Sequence, residues 1–182
     1  MSKINRHDYM MAWVSLVTAG SILATELNSY LQEELGISVP EQDMLKQLAQ
    51  ADGKLNMSVL ASRIFLSRAG MTKMMDRMEA EQLVRRVPSK TDRRLIKAVL
   101  TAKGRRVVVR SWKLIEPWVA RNFRAHLSDN EVLALGSALK SLLEGRENWS
   151  PLMEHLGGYD GVRKGPTLAD KLRQTPKPPS RK

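Results

Sequence analysis

Two groups of side chains in this sequence have the types and spacing to hold a polyanion. In the first, Arg68, Thr72, Lys73, Asp76 and Arg77 alternate with Met71, Met74, Met75 and Met78, which fall at i, i+3, i+4 and i+7. On one helix the methionines would face a core. The polar set would face outward, with the lengths and donors that read base edges and clamp phosphates. Methionine fills irregular core gaps, so the stripe reads as packing and not as a soft-metal site. The second group is Lys90-Thr91-Asp92-Arg93-Arg94, three cations around one acid at a turn. An arginine there could enter a minor groove while Asp92 fixes its guanidinium. The plainer alternative is a solvated turn with a surface ion pair.

The charge of the chain supports the polyanion reading. Between Lys54 and Arg106 stand fourteen Lys and Arg against four acids, so this segment holds ten of the eleven net positive charges. Such concentration is the footprint of a surface that displaces counterions from nucleic acid. Other chemistries are poorly served. Without cysteine there are no disulfides, thiolate zinc sites, iron–sulfur clusters or thiol redox sensors. His7, His126 and His155 lack ligand spacing, so no metal is expected. A nucleophile elbow, a glycine-rich phosphate loop and a His-Glu helix pair are all missing, so neither catalysis nor a cofactor is expected. No run approaches the roughly 18 uncharged apolar residues of a spanning helix, and the N-terminus lacks a signal-peptide pattern, which predicts a cytoplasmic protein without a membrane partner.

The elements that must position these groups follow from periodicity. Met10, Val14, Val17, Leu23, Leu27, Leu31 and Leu35 predict a long helix over 8–35 ended by Gly36. A second helix is predicted over 41–51, from Pro40 to Gly53. Residues 54–56 are too short for more than one β-bridge, and Asn56 can cap a helix over 57–65. Ser67 can cap the next, to about residue 81, with the tight connection of a helix-turn-helix between the two. The pattern then switches to period two around Pro88–Asp92, predicting a two-stranded hairpin. Thr101 caps a long helix through Phe123, in which Pro117 predicts a kink or break. Ser128-Asp-Asn-Glu131 is a capping box for a last helix, ended by Gly145. Beyond Asn148 the chain is rich in Pro and Gly and basic at its end, the composition of a flexible tail.

Leu60-Ala-Ser-Arg63, Met71-Thr-Lys-Met-Met-Asp-Arg-Met-Glu79, Leu83-Val-Arg-Arg86 and Asp92-Arg-Arg94 followed by Leu100-Thr-Ala-Lys-Gly104 resemble the winged helix-turn-helix of the MarR family of bacterial transcription regulators. The resemblance spans roughly residues 8–147. It implies a mainly α fold, a winged helix-turn-helix with a short three-stranded β element and wing over 40–100. It further implies N- and C-terminal dimerisation helices over 8–36 and 101–147, ahead of the 148–182 tail. It places Ser67, Arg68, Thr72 and Lys73 on the major-groove face, Arg94 in the minor groove and Asp92 as the positioner of Arg94; the outward helix face adds Arg77, and the basic turn adds Lys90 and Arg93, as DNA-binding candidates. It implies a homodimer on double-stranded DNA, a repressor on a pseudo-palindromic operator. It also implies a small phenolic or aromatic acid effector, held between the dimerisation helices and the winged domain by His7, Met10, Trp13 and Arg63. Trp13 reads as well as a core or dimer-interface residue. Gln82 departs from the pattern, standing where the family has glycine, and predicts a strained or altered helix end. A non-specific architectural or nucleoid-type DNA-binding protein is the alternative reading.

Overall fold

The chain opens with a thirty-residue helix, α1 (Arg6–Leu35). Asn5 caps it: its side chain accepts hydrogen bonds from the backbone of His7 and Asp8, while Asp8 accepts from the Asn5 N–H. Gly36 ends it at φ 68°, a left-handed conformation that costs glycine nothing. The computed structural model describes residues 4–64, 68–89 and 95–144. They form two compact units, one through Val39 and one from Pro40 onward.

The helical reading of α1 holds, but its apolar character is greater than the sequence reading allowed. An 18-residue window has mean hydropathy 1.4 with at most two charged residues, so α1 is long and apolar enough to cross a membrane by length and composition. The physical reason is the charge-free stretch from Tyr9 to Thr25, in which small Ser, Thr and Gly residues dilute the apolar ones without adding charge. Its large apolar side chains, Tyr9, Met10, Met11, Trp13, Val14, Val17 and Ile22, are exposed on several sides, and only Leu31 is buried.

In the second unit, α2 (Val39–Gln50) buries Met44, Leu45 and Leu48. It ends with Asp52 left-handed, and Gly53 N–H donates to the Leu48 carbonyl. β1 (Lys54–Asn56) pairs through all three residues with β3 (Ile96–Leu100), a longer ladder than the single bridge expected. The two residues beyond the minimum pair because β3 supplies a full complementary edge. β2 (Val84–Pro88) flanks β3 on the other side, giving an antiparallel sheet in the order β1-β3-β2. Its inner face buries Val84, Ala98 and Leu100. Against it lie α3 (Met57–Arg63) and α4 (Arg68–Ala80), whose Met71, Met74, Met75 and Met78 are all buried as the stripe predicts. Asn56 stands at the start of α3 but makes no side-chain capping bond, against expectation. The expected cap Ser67, the turn 90–94, Gly145 and the tail lie outside the described residues.

The end of α4 settles the question raised by Gln82. Leu83 N–H donates to the Met78 carbonyl and Gln82 N–H to the Glu79 carbonyl, the two bonds of a Schellman cap, with Gln82 at φ 58°. The left-handed cap forms without glycine, and the glutamine carries the strain. Gln82→Gly is therefore expected to raise stability by about 1 kcal/mol in urea unfolding; a loss would contradict a strained Gln82.

α5 (Ala102–Asn122) runs unbroken through Pro117. Proline deprives one carbonyl a turn earlier of its donor, but Pro117 is exposed, so water can serve that carbonyl and no break follows. A 3-10 turn at Arg124–His126 leads to α6 (Asp129–Leu143), opened by the Ser128–Glu131 capping box. No residue of α6 is buried, and Leu133 and Leu142 are exposed.

Candidate nucleic-acid interface

The helix that carries the polar set is anchored from three sides, and the anchoring explains which of its side chains remain outward. The methionine stripe holds α4 to the core of the unit. Opposite it, Thr72 and Lys73 are exposed, with Arg77 a turn further on. Arg77 has a second engagement: its guanidinium lies 3.1 Å from the carboxylate of Glu41, a buried acid on α2. Half of the Arg77 side chain stays exposed, so one cation both neutralises a buried acid and faces outward. Arg68 opens α4.

The third anchor was not foreseen. The Arg86 guanidinium on β2 donates to Glu79 Oε2 at 2.7 Å and to Asp76 Oδ1 at 2.6 Å, and its backbone N–H donates to Glu79 Oε1 at 2.8 Å. Asp76, read from sequence as part of the outward face, is thus spent on the sheet. The backbone bond from Arg86, followed by its side-chain bond, holds the Glu79 carboxyl below its ordinary value of 4.5. Burial opposes the charge of Arg86, but the bonds to Asp76 and Glu79 outweigh it and raise its pKa. A carboxylate with a depressed folded pKa contributes stability that is present above pH ~4.5 and lost as pH falls through the folded value. Acid unfolding is accordingly expected to begin below that pH, and Glu79→Gln should flatten this limb of a Tm-against-pH profile. An unchanged limb would remove Glu79 from the account.

The base of the wing is held by the Leu100–Gly104 motif. Thr101 Oγ1 accepts from Gly104 N–H at 3.0 Å as the cap of α5, and its hydroxyl is shared between the carbonyls of Gln82 at 2.7 Å and Leu83 at 3.0 Å. Gly104 is buried against the sheet side: a Cβ built there would lie 2.2 Å from the Leu83 carbonyl oxygen. The helix that follows the wing therefore presses on the strained cap that precedes it. Lys103 adds a bond from Nζ to the Glu81 carbonyl at 2.8 Å.

The structure brings together Thr72, Lys73 and Arg77. Ser67, Lys90, Asp92, Arg93 and Arg94 lie outside the described residues, so the wing tip is not part of this geometry. Of the effector candidates, His7, Met10 and Trp13 are exposed on successive turns of α1, and Arg63 ends α3 half-buried. No group of three or more His, Asp or Glu able to hold a metal occurs among the described residues. Sequence patterning missed Arg86 and Glu41; the only signal for the first was the Glu79 and Arg86 pair within two quoted motifs.

A three-stranded antiparallel sheet on two short helices, with a polar outward face on the second helix, defines a winged helix-turn-helix DNA-binding fold. Residues 35–95 match the MarR family. The fold resembles that of AbsC, a MarR family transcriptional regulator of Streptomyces coelicolor, at 26% identity and TM-score 0.68, covering 86% of this chain and 99% of that one. It also resembles a second MarR family regulator of Streptomyces coelicolor solved in complex with DNA, at 23% identity and TM-score 0.69, over 81% and 92% of the two chains. A third is an organohalide-sensing transcriptional regulator in its 2,4-dichlorophenol-bound form, at 18% identity and TM-score 0.65, over 78% and 85%. No curated protein matches at a significant level. Residues 35–95 thus resemble the MarR family of transcription regulators, and the fold is the winged helix-turn-helix of such regulators.

Proposed function

We propose that this protein is a cytoplasmic homodimeric repressor that binds a pseudo-palindromic operator through α4 and the wing. The observation that carries the reading is the outward face of α4, where Thr72, Lys73 and Arg77 stand opposite a buried methionine stripe inside the segment that holds nearly all the net charge. One module reads too few base pairs to specify a site, so two-fold symmetry is the economical solution. The apolar surfaces of α1 and α6 supply the means: helices this apolar and this uncovered require a partner surface. On this reading α1 is apolar on several sides because a second copy covers it, and its hydropathy serves assembly.

Ser67, Arg68, Thr72, Lys73 and Arg77 contact the major groove. Lys90, Arg93 and Arg94, with Asp92 as positioner, contact the flanking minor groove. The dichlorophenol-bound relative supports a small aromatic effector here too, for which His7, Met10, Trp13 and Arg63 are the candidates. Lys73→Ala and Arg94→Ala are each expected to weaken operator binding by about 1–3 kcal/mol in fluorescence anisotropy; unchanged affinity for both would retire the DNA face. The architectural reading draws on the same charge excess and predicts equal affinity for unrelated duplexes.

A further inference from the structure

We infer that Arg86 is a positioning residue for DNA binding: its clamp on Asp76 and Glu79 sets β2, and with it the β2–β3 ribbon, against the reading helix α4. The inference rests on the DNA-binding function proposed above.

The geometry is unusually complete for a pair of surface elements. Arg86 offers three donors, two from its planar guanidinium and one from its own backbone, to two carboxylates one turn apart on α4. Both Glu79 oxygens are used, one by the backbone of β2 and one by the side chain, so neither rotation of α4 nor sliding of β2 is possible without breaking a charge-assisted bond. Arg86 pairs with Ala98 across the ladder, so it projects on the inner face of the sheet, toward the helices and away from the outer face that carries Lys54, Arg85 and Lys97. Its side chain is 27% exposed, whereas Asp76 is 61% exposed. Arg86 is therefore placed to hold α4 rather than to reach a phosphate.

The clamp has a second consequence. Asp76 and Glu79 are the only acids in α4, and Asp76 lies within a turn of Thr72, Lys73 and Arg77. Unclamped, its carboxylate would face the polyanion. Positioning and charge masking are distinguishable, because masking is restored by removing the acids and positioning is not. Lysine keeps the charge of Arg86 but loses the planar fork that engages two carboxylates at once.

The test compares the full-length wild type, Arg86→Lys, Arg86→Met and the triple variant Arg86→Met with Asp76→Asn and Glu79→Gln. Each is titrated with one operator duplex over a series of salt concentrations, with Tm and oligomeric state measured alongside. Positioning predicts that Arg86→Lys and the triple variant both lose about tenfold to a hundredfold in affinity. It also predicts that the slope of log K against log salt stays at the wild-type value. Rescue by the triple variant would replace positioning with charge masking. A slope reduced by about one would make Arg86 a direct phosphate contact. Wild-type affinity in Arg86→Lys would overturn the inference outright, and because lysine is the mildest change, that variant decides the matter should Arg86→Met fail to fold. Failure of the wild type to bind any duplex would instead remove the proposed function, and the inference with it.

Discussion

Gly104→Ala is expected to cost about 3 kcal/mol of stability, a large share of the roughly 5–15 kcal/mol that holds a typical domain together. The obstacle is backbone, not a flexible side chain. The added Cβ would lie 2.2 Å from the Leu83 carbonyl oxygen and 2.7 Å from Leu100 Cδ1. Leu83 cannot retreat, because its carbonyl accepts from the Thr101 backbone at 3.1 Å and shares the Thr101 hydroxyl, while its own N–H is held by Met78. Relief would require moving the first turn of α5 away from the sheet, which breaks the Thr101 cap as well. Urea or thermal unfolding reads the result directly. A variant of wild-type stability would mean that the α5 terminus is loosely seated and that the wing base is held by something else.

The second large effect concerns assembly. Leu139→Arg, and independently Leu27→Glu or Leu142→Glu, should convert the proposed dimer into monomers by light scattering. Each places a charge on a helix face that has apolar side chains and incomplete cover: α6 has no buried residue, and Leu142 is exposed. An unpaired charge enclosed in an interface costs several kcal/mol, far more than a marginal association supplies. Operator affinity should fall with dimerisation, because a lone module retains only its own phosphate and base contacts. Intact dimers in all three variants would move the interface elsewhere, and the exposure of α1 and α6 would need another explanation.

The parts of this fold that sequence revealed are those determined locally. The methionine stripe is a helix-period pattern, and all four side chains are buried. The Ser128–Glu131 box and the Gly36 terminus depend on residues within a turn or two, and both form. Gln82 was conspicuous because one residue type departed from a motif, and its positive φ follows from the same local bonds. The features that escaped are those in which charge or volume meets across elements. Arg77 reaches Glu41 on another helix, and nothing in the periodicity of α2 marks an acid as buried. Asp76 looked like part of a reading face because its helix position allows that; only the register of β2 brings Arg86 beneath it. The meeting of Gly104 with Leu83 is likewise invisible until strand and helix are packed. At Pro117 the local rule allowed a kink or a break, and the break does not occur: α5 continues through an exposed proline.

The central claim is that the outward face of α4 reads sequence as part of a symmetric dimer. Selection of bound duplexes from a random DNA pool at near-physiological salt tests it most directly, with the same protein titrated against unrelated duplex. The account predicts recovery of a pseudo-palindrome bound at least ~10³-fold more tightly than the unrelated DNA. A flat pool with affinity that falls steeply with salt would contradict it and leave the basic module as a sequence-indifferent DNA-binding surface.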